Sequence, residues 1–205
     1  MIAIIDYKSG NLGSVKKALS YLNEESVITS DPKVISSASG VILPGVGAFA
    51  PAMENLKASG LIPVIKEVIE KGTPFLGICL GMQLLLDASE EGTAPGEALH
   101  EGLGIIPGTV RKFPAETGLK VPQIGWNNLK EATGSLLREG DYVYFVHSFY
   151  CDIKSPEDIA AKAEYGILYP CAAEHGNVFA TQFHPEKSGE AGLHILERFI
   201  RRTRR

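Results

Sequence analysis

The stretch Gly72-Thr73-Pro74-Phe75-Leu76-Gly77-Ile78-Cys79-Leu80-Gly81-Met82-Gln83-Leu84-Leu85-Leu86 decides how the rest of the chain is read. Pro74 to Ile78 is a short apolar run after a Gly-Thr-Pro break, the pattern of a buried parallel strand. From Leu80 the residues are good helix formers and predict a helix. Cys79 stands at the join, flanked by Gly77 and Gly81 in the pattern Gly-x-Cys-x-Gly. This is the cysteine version of a nucleophile elbow, a sharp, strained strand-to-helix turn that lifts the side chain out of the sheet. The N–H groups and dipole at a helix N-terminus favour thiolate over thiol. Free cysteine is often a plain core residue. A plain core would not need two glycines, which cost conformational entropy. The stretch predicts a nucleophile.

Upstream, strands and helices alternate. Ile2 to Ile5 is a buried strand ended by Asp6, and Leu12 to Leu22 has helical spacing through Leu12, Val15, Leu19 and Leu22. Glu25 to Thr29 predicts a second strand, and Asp31-Pro32 a helix N-cap with proline at the first helical position. Val41 to Leu43 predicts a third strand, stopped by a loop Pro44-Gly45-Val46-Gly47. Pro51 to Ala58 and Leu61 to Lys71 read as helices. Alternation of this kind implies a parallel sheet with helices on both faces. Ligands then bind beyond the carboxyl ends of the strands, where Cys79 and the Pro44–Gly47 loop both fall.

The pattern changes after Asp87. Residues 90–108 show no clear period and read mostly as loop. Val110 to Phe113, Gln123 to Leu129, Tyr142 to Tyr150, Ile159 to Glu164 and Val178 to Phe183 predict strands, and Gly189 to about Arg202 a final helix. No repeat or linker separates the halves, so residues 1–205 are expected to form a single domain with one core.

Composition bounds the function. Hydrophobic residues make up 44% and charged residues 21%, which is ordinary for a globular chain. A net charge of −4 argues against general nucleic-acid binding. The basic tail Arg201-Arg202-Thr203-Arg204-Arg205 reads as a frayed helix end aided by cations. Three cysteines, Cys79, Cys151 and Cys171, are an odd count without metal-ligand spacing. That fits a reducing cytoplasm, and neither metal nor cofactor is expected. The N-terminus reads as a strand rather than a signal peptide. No apolar run reaches membrane-spanning length.

The second chemical motif is Thr181-Gln182-Phe183-His184-Pro185-Glu186. Along an extended chain His184 and Glu186 would project to one side, with Pro185 stiffening the pairing. A carboxylate beside an imidazole orients the ring and stabilises its protonated form, which suits a base serving a cysteine. Alone, the tripeptide could equally be a strand end with solvated side chains; with Gly-x-Cys-x-Gly upstream it predicts a Cys79–His184–Glu186 triad. An oxyanion needs donors as well. The backbone N–H of Leu80 is one by elbow geometry, and the glycine-flanked backbone at Val46 and Gly47 offers the other.

Taken together these residues resemble the class I (triad) glutamine amidotransferases along the whole chain. Within that class the chain is most similar to the glutaminase subunits of imidazole glycerol phosphate synthase. The similarity rests on Ile5-Asp6-Tyr7, Ser9-Gly10-Asn11, Pro44-Gly45-Val46-Gly47-Ala48-Phe49, the Cys79 elbow through Gln83, Gly125-Trp126-Asn127, Tyr144-Phe145-Val146-His147-Ser148 and Phe183-His184-Pro185-Glu186-Lys187-Ser188. Met82 stands where anthranilate and GMP synthase glutaminases usually carry His. Lys8 departs from the small residue this family often has.

The resemblance implies a three-layer, flavodoxin-like α/β fold with a central mixed, mostly parallel sheet. It implies hydrolysis of L-glutamine to glutamate and ammonia through a thioester on Cys79. The ammonia would pass to a cyclase subunit, a (βα)8 barrel in a heterodimer, yielding imidazole glycerol phosphate and AICAR in histidine biosynthesis. It further implies that Gln83 and the backbone of His147, Ser148 and Phe149 hold the substrate. Asn11, Trp126, Tyr144 and Lys187 would lie near the partner, against the competing reading of Trp126 and Tyr144 as core aromatics. A non-catalytic binding protein and a free-standing cysteine peptidase or γ-glutamyl hydrolase are the rival functions.

Overall fold

The computed structural model describes residues 1–204 except the side chain of Thr117; Arg205, the end of the basic tail, lies outside the described residues. In chain order the first half runs β1 (Ile2–Ile5), α1 (Leu12–Tyr21), β2 (Ser26–Thr29), α2 (Pro32–Ser37), β3 (Gly40–Gly45), α3 (Phe49–Ala58), α4 (Ile62–Glu70), β4 (Phe75–Cys79) and α5 (Leu80–Leu84). The second half adds β5 (Leu86–Ser89), β6 (His100–Glu101), β7 (Ile106–Lys112), β8 (Gln123–Asn128), β9 (Tyr142–His147), β10 (Phe149–Ile153), β11 (Ile159–Glu164), β12 (Leu168–His175), β13 (Val178–Thr181) and α6 (Gly189–Arg202).

The main sheet has seven strands in the order β11-β12-β13-β4-β3-β1-β2. The five from β13 to β2 are parallel; β12 pairs antiparallel with β13, and β11 antiparallel with β12. The expected mixed, mostly parallel sheet is thus present. Its strands are apolar on both faces because both are covered. Ala3, Ile5, Val41 and Leu43 pack with α3, α4 and the second sheet. Ile2, Ile4 and Ile42 point the other way, against α1 and α6. A second sheet has the order β10-β7-β5-β6, and β8 pairs with β9 as a separate ribbon.

Several sequence expectations need correction. The helix after Cys79 is only five residues long, because Leu84, Leu85 and Leu86 are buried all round and Leu86 already pairs with Ile106. β3 runs through Pro44 and Gly45, so the loop begins at Val46. Residues 90–108 are mostly loop, as expected, and hold only the short β6 and the start of β7. Tyr142–Tyr150 is two strands that separate at Ser148 and join different sheets.

β12 was hidden by Pro170, which breaks a strand pattern. It is tolerated because pairing with β13 begins at Ala172, so the ladder on that side needs no N–H from Pro170. The tail is docked rather than frayed: Thr203 is buried, and Arg204 pairs with Glu24 at 2.7 Å. Among the described residues no helix is long and apolar enough to cross a membrane.

Candidate active site

Strand register brings the predicted site together. Gly45 lies opposite Cys79 between β3 and β4, and Thr181 opposite Ile78 between β13 and β4. Three adjacent parallel strands therefore end side by side. The residues leaving them are Val46-Gly47, Leu80, and Gln182-Phe183-His184.

Cys79 has φ 55° and ψ −108°, a strained conformation for a residue with a side chain. The packing around it holds that strain. A Cβ on Gly81 would lie 1.8 Å from the carbonyl oxygen of Leu43, and one on Gly77 would lie 2.9 Å from the oxygen of Gly81. Glycine alone lets α5 sit this close to β3 and β4. Because α5 is so short, its dipole is a smaller aid to the sulfur than a long helix would supply.

His184 and Glu186 meet, although by a different route from the one expected. His184 is extended, but Pro185–Lys187 form one 3-10 turn, and this turn curls Glu186 back beneath the ring. Nδ1 of His184 lies 2.8 Å from Oε1 of Glu186, with both side chains buried. The His184 N–H donates to the carbonyl of Tyr144 at 3.0 Å. Ser188 donates its hydroxyl proton to the His184 carbonyl at 2.6 Å and accepts from the Tyr144 N–H at 3.0 Å.

Burial disfavours the charged imidazole of His184, but Cys79 and Glu186 beside it more than offset this, and its pKa is raised. Nε2 of His184 and Oε2 of Glu186 are buried without hydrogen-bond partners. The Cys79 sulfhydryl makes a long contact to the Val146 carbonyl at 4.0 Å. Sulfur and imidazole are thus near enough to couple electrically, while the sulfhydryl is not aligned on Nε2 by hydrogen-bond geometry.

Val46, Gly47, Cys79, Leu80, Gln83, His147, Ser148, Phe149, His184 and Lys187 all line one cavity of about 420 Å³. The Val46 carbonyl accepts the hydroxyl proton of Ser9 at 2.8 Å. The ring of His147 faces away from any ligand role. Its Nδ1–H donates to the Phe149 carbonyl at 2.7 Å, and its Nε2 lies 3.3 Å from the Tyr169 hydroxyl. Burial pushes it down to about 4, against the pull of the Phe149 carbonyl and with help from the His184 charge. It is therefore neutral at pH 7 and fixes the backbone of Ser148 and Phe149.

Two residues were missed from sequence. Glu91 lines the same cavity, and its Oε2 accepts from the Phe49 N–H at 2.7 Å, capping α3. It sits in a stretch with no periodicity, so nothing local marks it. Gln182 is fully buried against the sulfur. The only hint was an amide in a segment that reads as core.

Of the expected partner-facing residues, Trp126 is 46% exposed and therefore not a core aromatic. It stacks on Tyr142 at 5.7 Å and meets Tyr144 edge-on. Lys187 is exposed at the cavity mouth, and Asn11 starts α1 with a side chain that makes no cap bond.

Comparison with known proteins gives the family. Residues 3–203 match the glutamine amidotransferase class-I family. The imidazole glycerol phosphate synthase subunit HisH of Streptococcus sanguinis is 48% identical over 97% of this chain and 95% of its own. That of Moorella thermoacetica is 49% identical over 97% of this chain and 93% of its own. Among solved structures, a glutamine amidotransferase superposes with a TM-score of 0.76 at 18% identity, covering all of both chains. The glutaminase domain of Trypanosoma brucei CTPS superposes with 0.63 at 16% identity, covering 99% and 93%. The chain belongs to the class I glutamine amidotransferases, a family of enzymes, and within them to the family of the imidazole glycerol phosphate synthase subunit HisH.

Proposed function

We propose that this chain, acting as one domain in the cytoplasm, hydrolyses L-glutamine and hands the ammonia to a cyclase subunit. The observation that carries the reading is the buried His184–Glu186 pair facing Cys79 on its strained turn, inside one cavity. Cys79 sulfur attacks the side-chain amide carbon while its proton goes to Nε2 of His184. The oxyanion is held by the Leu80 N–H and by an N–H of the Val46–Gly47 backbone. The imidazolium then protonates the departing ammonia, leaving a thioester. Water, deprotonated by the same ring, attacks the thioester and releases glutamate. Glu186 keeps Nδ1 protonated and aimed throughout.

For the substrate's other end, Glu91 offers a carboxylate to the α-ammonium. Gln83 and the backbone at Ser148-Phe149 bound the same cavity. The exposed aromatic ribbon, Lys187 and Asn11 form the surface for a (βα)8 cyclase partner. There ammonia is incorporated to give imidazole glycerol phosphate and AICAR.

The reaction is gated. Free ammonia is mostly protonated in neutral water, so uncoupled hydrolysis would waste glutamine. Ser9 holds the Val46 carbonyl, so rotating that peptide must break a hydrogen bond. Losing one oxyanion donor costs roughly 10²–10³ in rate. Partner binding with the nucleotide substrate favours the competent backbone by differential contacts.

The test is glutamate release by the lone chain and by its complex with the cyclase, with and without nucleotide substrate. A slow lone chain and a fast loaded complex are expected. In the complex, Cys79→Ala should abolish synthesis from glutamine and keep synthesis from added ammonia. A lone chain as fast as the loaded complex would return it to the free-standing hydrolases.

A further inference from the structure

A thiolate beside an imidazolium is stabilised further by an N–H donor of its own, separate from the donors that serve the substrate oxygen. We propose that Gln182 supplies it, as a catalytic residue that stabilises the Cys79 thiolate through its side-chain N–H. The inference rests on the assignment of Cys79 as nucleophile.

Gln182 is completely buried, and its Nε2 lies 3.7 Å from Cys79 Sγ. Its own N–H donates to the Cys171 carbonyl at 2.8 Å, which fixes where the side chain starts. An amide can in principle present either end, so its orientation has to be decided by its neighbours. Here a chain of obligate donors and acceptors decides it. The Phe149 carbonyl can only accept, and Gln83 Nε2 lies 3.2 Å from it. Gln83 is thereby held with its amino end toward both Phe149 and Gln182. The same Nε2 lies 3.2 Å from Gln182 Oε1, so the oxygen of Gln182 must face Gln83. The opposite end, the NH2 group, then faces the sulfur.

Cys151 reinforces the arrangement. Burial pushes its thiol well above the usual range, so it keeps its proton and points it at Gln182 Oε1 at 3.9 Å. A flipped Gln182 would put its NH2 against the NH2 of Gln83 and against a sulfhydryl proton. Orientation passes from Phe149 through Gln83, a positioning residue in this respect, to Gln182.

The consequence follows from the charge on sulfur. An N–H aimed at sulfur binds thiolate more strongly than thiol or thioester. The donor thus raises the share of thiolate available before attack, at some loss of nucleophilicity, and assists deacylation, when the thiolate is the leaving group. It also compensates for the small dipole of the five-residue α5.

The test is alkylation by iodoacetamide, followed at Cys79 by peptide mass spectrometry across pH. Gln182→Met removes the donor and keeps the length. Its alkylation rate at pH 7 should fall about tenfold, the loss expected for one hydrogen bond to a charged group, while the limiting alkaline rate is kept. A loss of packing alone would change both. Gln83→Met leaves Gln182 in place but removes the group that orients it, and should give a smaller fall of the same form. Wild-type alkylation profiles for both variants overturn the proposal; if Gln182→Met does not fold, an unchanged Gln83→Met profile overturns it alone. Neither result touches the glutaminase assignment, which fails separately if Cys79→Ala still releases glutamate.

Discussion

Two walls of one cavity carry a histidine each, and the protein drives the two rings in opposite directions. His147, on β9, meets a carbonyl and a phenol and no acid, so burial wins and the ring is neutral at pH 7. His184, after β13, is buried too, but Glu186 and Cys79 flank it and its charged form is favoured. Burial is common to both. The carboxylate and the sulfur make the difference, and with it one histidine becomes a structural pin while the other suits the role of base proposed for it.

The contrast can be broken most severely at His184. Replacing it with alanine removes the base, and glutamine-dependent turnover should drop by roughly 10²–10⁴. An equal loss for His147→Asn would show that the walls are not different in kind. Glu186→Gln should cost less than His184→Ala, since it keeps the ring and removes only its orienting charge. In a cooperating triad the double variant should be little worse than His184→Ala, whereas additive losses would give Glu186 a separate role.

Acid should find the weak point of the other wall. The folded pKa of His147 is depressed from 6.5 to about 4, so the unfolded chain takes up its proton first as pH falls. The contribution is whole above about pH 6.5 and is lost between there and about 4, up to about 3 kcal/mol. The raised His184 works in the opposite window, losing stability as pH rises above 6.5, so it does not mask this slope. Urea denaturation of the wild type and of His147→Asn between pH 7 and 4 checks it; parallel curves would overturn the assignment. The smallest effect belongs to Ser188, which ties the His184 carbonyl to the Tyr144 N–H. Ser188→Ala should cost about 1–2 kcal/mol in the same assay and lower turnover modestly.

The same divide separates what could be read locally from what could not. The parallel half was legible because each strand there is a short apolar run between turn signals, and each helix has a clear apolar face. Asp31 does cap α2 by accepting from the Lys33 N–H at 2.9 Å, as its position before Pro32 predicts. The half after Asp87 was harder. β6 has two residues, β12 contains a proline, and the run Tyr142–Tyr150 gives no sign that it changes sheets at Ser148. Whether a strand joins one sheet or another depends on partners far along the chain, and no local period encodes them.

By itself the sequence determined the elbow, because Gly-x-Cys-x-Gly at a strand-to-helix join is a local steric pattern. It suggested the pairing of His184 with Glu186, but the 3-10 turn at Pro185–Lys187 that brings them together is a feature of the folded structure. Only the tertiary structure decided that Gly45, Cys79 and Thr181 end three neighbouring strands, which is a matter of register. It alone placed Glu91 in the cavity and Gln182 against the sulfur, and it alone made His147 neutral. Hydrogen-bond direction and desolvation depend on every group that packs around a side chain, and those groups come from β4, β10, β12 and β13 at once.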